Sequence, residues 1–350
     1  LAGATGFLGI HVLAELLKED DIKIYCLIRE DPSTSARNKL KNKFKYYFGS
    51  DLSNLFGNRI VIISGDITKK YFGNSEFLYN LLSTSVDTVI NCAAIVKHFG
   101  KYEKFENVNV NGVKNLIAFC EEFNKKFVQI STTSVSGNTL MGMSVAFNPK
   151  KKVYFGENNL FVGQSLENVY VRSKFEAEKY MLEEIASKKL NGIILRVGNI
   201  TNRYSDGKFQ DNSSENAFLN RIKAFLYLKM VPKSIMKGYA EFSPVDKIAE
   251  SIVKVIRFYT PTTTVLHLYN SNHLYLTDLI KILKELGIEI EIVDDEIFKT
   301  KLKNLLFNSP NFDKISVLLN DLDKDYNLVY KTNLSITNKY TLEFLNKIDF

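Results

Sequence analysis

Short apolar runs alternate with amphipathic stretches along most of the chain. Runs of strand length occupy Ile22–Ile28, Ile60–Ile63, Val86–Asn91, Lys126–Ile130 and a segment ending at Arg196, and Val265–Leu268 reads as the last strand. Between them lie helical patterns: Ile10, Leu13 and Leu17 share one stripe, as do Ile248, Ile252 and Val255, and Thr341, Phe344, Leu345 and Ile348 near the end. Residues 173–182 combine strong helix formers with no breaker. Strand and helix in alternation predict βαβ units, hence an α/β fold: a Rossmann-type doubly wound parallel sheet with a smaller, mostly helical C-terminal substrate domain. The expected division is residues 1–200 plus about 241–270 for the sheet domain, and about 201–240 plus 271–350 for the cap. The chain opens on Leu1 with no room for a strand before its first glycine, so the first strand is expected to precede it.

That opening, Gly3-Ala-Thr5-Gly6-Phe7-Leu8-Gly9, precedes an amphipathic helix and then a strand. Glycines at this spacing let backbone approach a pyrophosphate at a helix N-terminus, where unpaired N–H groups attract anions. The strand after the helix ends at Arg29, where a site selective for NAD often places an acid. An arginine there suits the 2′-phosphate of NADPH, with Arg37 as a second phosphate ligand or a surface residue. Glu30 and Asp31 follow directly and keep NAD open. Asp66 and Ile67, after the next strand, are placed to contact adenine. Asn91, Ala93 and Ala94 follow the strand after that, small residues that admit a cofactor backbone contact. Asn109 either braces the active-site backbone or starts a helix.

Tyr170-Val-Arg-Ser-Lys174 puts a phenol and an ammonium on one helical face. The lysine can lower the phenol's pKa and steer a nicotinamide ribose, while the hydroxyl hands a proton to a carbonyl oxygen. Chance alone supplies about two Tyr-x-x-x-Lys pairs in such a chain. The second, Tyr204 to Lys208, contains Asp-Gly and reads as a turn. Upstream, Ser131, Thr132, Thr133 and Ser134 stand at the carboxyl end of a strand, where ligands bind in such sheets, and spacing does not choose among them.

Composition narrows the picture further. The chain of 350 residues, 45% hydrophobic, is long enough for a sizeable core and not a disordered tail. No apolar run of about 18 residues suggests a membrane span, and no leader is evident, so a cytoplasmic location is expected. Cys26, Cys92 and Cys120 are odd in number and lie in apolar segments, which predicts reduced core thiols and no metal site. The net charge of +7 is spread out: solvated lysines rather than a nucleic-acid surface, including the basic stretch 38–57 and Lys150–Lys152.

The glycine loop, Asn91-Cys-Ala-Ala94, Ser131–Gly137 and Tyr170–Lys174 together resemble the extended short-chain dehydrogenase/reductase family. That resemblance implies a Ser/Thr-Tyr-Lys triad, and position matches Thr132 to its hydroxyl. A narrower likeness rests on Cys26-Leu-Ile-Arg29, Ala94–Gly100, Asn109-Val110, Arg196-Val-Gly-Asn-Ile200, Ser205–Phe209 and Ser243-Pro-Val-Asp246. These resemble the terminal thioester reductase domains of nonribosomal peptide synthetases. The lead-in Leu1-Ala2, Val113 and Lys247 depart from the pattern, which touches the subfamily and not the triad. The likeness implies NADPH-dependent release of an acyl or peptidyl thioester, borne on a carrier protein's phosphopantetheine arm, as aldehyde or alcohol. It also implies that Arg196 to Asn199 lie beside the cofactor and substrate channel; the other reading of Arg196 is an ordinary strand-end arginine paired with an acid. Asp246 reads as a helix cap, with a first-turn position as the other reading, His98 as a loop residue near the cofactor, and the isolated domain as a monomer. An acyl-CoA reductase, a nucleotide-sugar epimerase or dehydratase, and a non-catalytic dinucleotide sensor are the competing readings.

Overall fold

The computed structural model describes residues 1–137, 153–260, 263–308, 312–322, 326, 328 and 334–350; Lys150–Lys152 lie outside the described residues. Six parallel strands carry the fold: β1 (Ile24–Ile28), β2 (Ile60–Ser64), β3 (Thr88–Asn91), β4 (Lys126–Thr132), β5 (Asn191–Val197) and β6 (Val265–Leu268). Their order is β2-β1, then β3-β4-β5-β6. Ala2 joins the two halves through parallel bridges to Leu27 on β1 and Asn91 on β3. Its N–H donates to the Ile90 carbonyl and its own carbonyl accepts from Cys92, so two residues hold a central-strand position. Beneath them β1 and β3 face each other across a cleft of about 310 Å³ lined by Ile24, Tyr25, Val89 and Ile90.

Near-continuous apolar strands need cover on both faces, and the helices supply it. On one side α1 (Phe7–Leu16), α2 (Ala36–Phe48) and, later in the chain, a helix at Val245–Phe258 bury Ile10, Leu13, Leu40, Phe44 and Ile252 against Cys26, Val128 and Leu195. On the other, α3 (Glu76–Ser85), α4 (Gly112–Glu122) and α5 (Val169–Ala186) bury Tyr79, Leu116, Ile117 and Met181 against Phe127 and Ile194. The basic stretch behaves as its pattern requires: Leu40, Phe44 and Tyr47 face inward, the lysines outward, and Gly49 ends α2 at φ 69°.

The cap has its own core. Helices α6 (Ala217–Leu228), α8 (Leu276–Glu285) and α9 (Asp295–Asn308) gather Phe225, Leu228, Met236, Leu276, Phe298 and Leu302, with Ile315 and Leu318 beneath; α7 is the Val245–Phe258 helix. Residues 334–350, expected in the cap, are elsewhere. Leu334–Ile336 pairs in parallel with Val153–Phe155, and α10 (Lys339–Lys347) lays Phe344 into the sheet domain's core, edge-on to Tyr259 at 5.0 Å. The period-3.6 stripe was legible, but a stripe does not say which core it covers. Among the described residues no helix is long and apolar enough to cross a membrane. Phe344→Ala should therefore lower the stability of the sheet domain by about 3–5 kcal/mol; chemical denaturation checks this, and loss confined to a cap transition would count against the placement.

Candidate active site

The glycine loop is shaped by backbone contact. Gly3 sits at φ +80°, and a Cβ on it would run into the backbone of Cys92 and Ala93. A Cβ on Gly9 would strike the Gly3 carbonyl. Gly6 is the N-cap of α1 and offers no capping side chain, and the first turn holds no acid. The N–H groups of the first turn, those of Phe7 and Leu8 included, thus have no partner within the helix and point out of its end. The Phe7 ring is engaged elsewhere, against His11, Tyr47 and Phe209. Thr5 is half-buried between the glycines. The facing turn is fixed by Asn91, whose Oδ1 accepts from Ala93 N–H at 3.0 Å while its Nδ2 donates to Gln129. Ala94 follows, half-buried, on the same turn. A cradle this close, open at a helix N-terminus, fits the pyrophosphate of a dinucleotide.

Four other expected contacts stand around this cradle. Arg29 leaves the carboxyl end of β1 exposed, and Arg37 is exposed on α2 with its guanidinium 4.5 Å from the Phe56 ring. Asp66 accepts from the N–H and hydroxyl of Thr68 in a tight turn. The Ile67 side chain is buried beneath Gly112, and its carbonyl accepts from the Asn115 amide at 2.7 Å.

At the carboxyl end of β4 the structure separates the four hydroxyls. Ser131 donates to Glu178 at 2.5 Å, whereas the Thr132 hydroxyl lies toward the phenol of Tyr170 and works to lower its pKa. Thr133 is buried and Ser134 gives its N–H to the Thr132 hydroxyl at 3.1 Å. Tyr170 lies in the first turn of α5, which begins because Asn168 accepts the N–H groups of Tyr170 and Val171. The His98 ring meets the Tyr170 ring edge-on at 5.2 Å, and His98 Nδ1 pairs with the Asn168 amide at 3.3 Å.

One turn on, Lys174 is buried and donates to the Ile130 carbonyl at 2.9 Å. Burial pulls its pKa down to about 8, opposed by the charge of Glu178 and by Cys92. Burial also pushes the Tyr170 phenol up to about 12, opposed only by the Thr132 hydroxyl, with Glu178 adding to the rise. The expected lowering of the phenol by Lys174 is therefore not what the protein alone does; desolvation outweighs it.

Asn109 braces the backbone. Its Oδ1 accepts from Ile95 N–H at 2.8 Å, and its Nδ2 donates to the Ile95 carbonyl and to Ser173 Oγ, both at 2.9 Å. It does so from a π-helical turn, Glu106–Asn111, rather than from a helix start. Arg196 takes its other reading, paired with an acid: it is 0% exposed and turned into the core, not the channel. Its Nη2 and Nε contact Glu178 Oε2 at 2.7 and 3.0 Å, and its Nη1 pairs with His267 Nε2 at 3.0 Å. Of its two readings, Asp246 takes the first-turn position and not the cap, which is Pro244. It sits in the first turn of α7 and accepts the N–H groups of Tyr204 and Ser205, tying down the turn whose Gly207 stands at φ 73°. Glu178, Asn168 and Gln129 were missed; Glu178 had a signal, four residues past Lys174 on the same face.

Fold and site define an NAD(P)-dependent reductase of the extended short-chain type. The family model described as "Male sterility protein", an NAD-binding family, matches residues 1–252, and the chain belongs to that family. It is 35% identical to a thiolation-reductase di-domain from an archaeal nonribosomal peptide synthetase, covering 100% of this chain and 70% of that one, with a TM-score of 0.83. It therefore belongs among the synthetase reductase domains. The terminal R domain of the myxalamid pathway, at 23% identity and TM-score 0.81 over 99% of this chain and 83% of that one, shares the fold. The L-2-aminoadipate reductase large subunit of Eremothecium gossypii is 26% identical over 98% of this chain. The chain spans about a quarter of the length of such curated relatives.

Gly9→Ala should weaken dinucleotide binding at least about tenfold, ~1.4 kcal/mol, because the added methyl displaces the Gly3 carbonyl at the cradle. Titration of the reduced cofactor's fluorescence measures it, with the far-ultraviolet circular dichroism expected to stay unchanged.

Proposed function

We propose that this domain reduces a carrier-bound acyl or peptidyl thioester and releases it as an aldehyde, using NADPH. The observation that carries the reading is the placement of the Thr132 hydroxyl at the carboxyl end of β4 toward the Tyr170 phenol, with Lys174 one turn further along the same helix. The likeness to a thiolation-reductase di-domain supports a carrier protein as partner.

When bound, the reduced nicotinamide supplies hydride to the thioester carbonyl carbon. Thr132 and Tyr170 hold the carbonyl oxygen as charge develops on it. A phenol held up at about 12 stays protonated at neutral pH, so Tyr170 arrives with the proton that this oxygen needs. Lys174, cationic below about pH 8, supports the phenolate left behind. The hemithioacetal then loses its C–S bond: the hydroxyl proton leaves, the carbonyl re-forms, and the sulfur departs as the carrier's thiol. Hydride and one proton are consumed for each aldehyde and thiol formed. A second round on the aldehyde gives the alcohol, and product analysis distinguishes the two.

The phosphorylated cofactor is favoured by Arg29 at the end of β1. Glu30, the acid next to it, is occupied by the Ser64 hydroxyl at 2.6 Å, and Asp31 by Ser33. Both carboxylates that kept NAD open are thus engaged in local turns and pairs.

Tyr170→Phe should cut thioester reduction by roughly 10²–10⁴-fold while NADPH binding persists; NADPH oxidation with an acyl-pantetheine or carrier-loaded thioester measures both, and an unchanged rate would refute the assignment. In Arg29→Ala the preference for NADPH over NADH in kcat/KM should fall about tenfold or more, the loss of one charge-assisted contact. Equal use of both cofactors by the unmodified protein would remove the phosphate role from Arg29.

A further inference from the structure

The chain passes between the sheet domain and the cap at residues 199–203, 239–243 and 269–275, and a last time between residues 322 and 334. The first three passages meet at Glu241. Its Oε2 accepts the Asn199 N–H at 2.6 Å, and its Oε1 accepts the Ser243 hydroxyl. Ser243 Oγ in turn accepts the Asn270 N–H at 3.0 Å, and Asn270 Nδ2 donates to the Phe242 carbonyl at 3.0 Å. Ser243 N–H donates to the Asn199 carbonyl, closing the loop of contacts. Gly198 admits the carboxylate: a Cβ there would lie 2.6 Å from Glu241 Oε2 and 2.6 Å from the Tyr269 Cβ.

This junction adjoins the hydroxyls of the active site. Val197 on β5 stands directly across from Thr132 on β4, and Gly198 is the next residue. Neighbouring strands lie about 4.8 Å apart and a residue advances the chain about 3.3 Å. The bond from Glu241 to Asn199 therefore fixes backbone within two residues of the position facing Thr132, at the sheet end where substrates bind.

We propose that Glu241 is a positioning residue that pins the cap to the substrate crevice, setting the Gly198–Asn199 backbone beside Thr132 for the thioester. The proposal deepens the function above and rests on it for the substrate. The groups around the carboxylate are Tyr239 on its own segment, with His273 stacked on it at 4.0 Å, and Tyr269 and Tyr275 on the third crossing. No basic side chain contributes to its titration. Burial raises its pKa to about 7, against the bonds from Ser243, Asn199 and Asn270. The pin is thus a full carboxylate acceptor above about pH 7 and a weaker, neutral one below.

The test compares Glu241→Ala and Glu241→Gln with the unmodified protein. Amide exchange at Asn199 reads the pin, and kinetics on an acyl-pantetheine thioester read its consequence. Glu241→Ala should lose Asn199 protection and raise the thioester KM about tenfold, ~1.4 kcal/mol, with the NADPH dissociation constant unchanged. Glutamine keeps an acceptor for Asn199 but does not titrate. In Glu241→Gln protection should therefore persist without the rise through pH 7 shown by the unmodified protein after correction for intrinsic exchange. Unaltered Asn199 protection in Glu241→Ala, the same pH dependence in Glu241→Gln, or a joint loss of NADPH affinity and melting temperature would each overturn the proposal. If the unmodified protein reduces no thioester, the functional reading fails while Asn199 exchange still decides the pin.

Discussion

The buried ion pair between Glu178 and Arg196 is the constraint on which the site depends. Neither side chain is more than 1% exposed, and removing two such charges from water costs several kcal/mol per ion. The cost is offset because every guanidinium nitrogen and both carboxylate oxygens have a partner. Glu178 takes three contacts from Arg196 and one from Ser131; Arg196 pairs its remaining nitrogen with His267 and rests its plane 4.8 Å from the Phe155 ring. His267 accepts from Arg196 at Nε2, so its proton is at Nδ1, donated to the Thr337 carbonyl at 2.7 Å. Burial and the arginine's charge hold it neutral, with a pKa near 3. The pair thus links α5, β5, β6 and the start of α10 in one chain of contacts, and the returning C-terminal segment is part of the active-site scaffold.

That network also sets the electrostatics of the catalytic pair. Lys174 is one helical turn from Glu178, whose negative charge works against the burial that would otherwise neutralise the amine. Were Arg196 absent, Glu178 would itself be an uncompensated charge in the core. The same carboxylate raises the phenol of Tyr170, in concert with desolvation. One buried acid therefore offsets part of the lowering that burial imposes on the lysine and adds to the rise that burial imposes on the tyrosine. A cationic lysine and a protonated phenol suit delivery of a proton to an oxygen that becomes negative, rather than its removal.

How far the sequence carried this reading depends on whether a role is local or made at a distance. The glycine loop was legible because its requirement is local: Gly3 and Gly9 must lack a Cβ, and a helix must follow at once. Tyr170 and Lys174 were legible because helical spacing puts them on one face. Thr132 was legible only through family resemblance, since the group that distinguishes it from Ser131, the Tyr170 phenol, lies 38 residues further along the chain. For Arg196 the channel position implied by the resemblance does not hold and the pairing with an acid does; which acid was not legible, because Glu178 is on a helix while Arg196 sits on a strand. Asp246 was legible as a first-turn residue, but the Tyr204 and Ser205 amides that it binds belong to a turn 41 and 42 residues earlier.

Asn109 shows how a local irregularity serves such distant demands. A regular α-helix through Glu106–Asn111 would satisfy each backbone group within the helix and give its side chains the ordinary 3.6 spacing. The π turn adds a residue to the winding and turns Asn109 inward, 1% exposed, where it bonds both backbone groups of Ile95 and the hydroxyl of Ser173. Ile95 belongs to the loop that carries His98 to the Tyr170 ring, and Ser173 precedes Lys174 on α5. The irregular turn thereby locks the loop after β3 to the catalytic helix. The phenol is then held from three directions, by the Asn168 cap, the braced loop and Thr132. Its single-atom geometry follows from packing rather than from flexibility at the site.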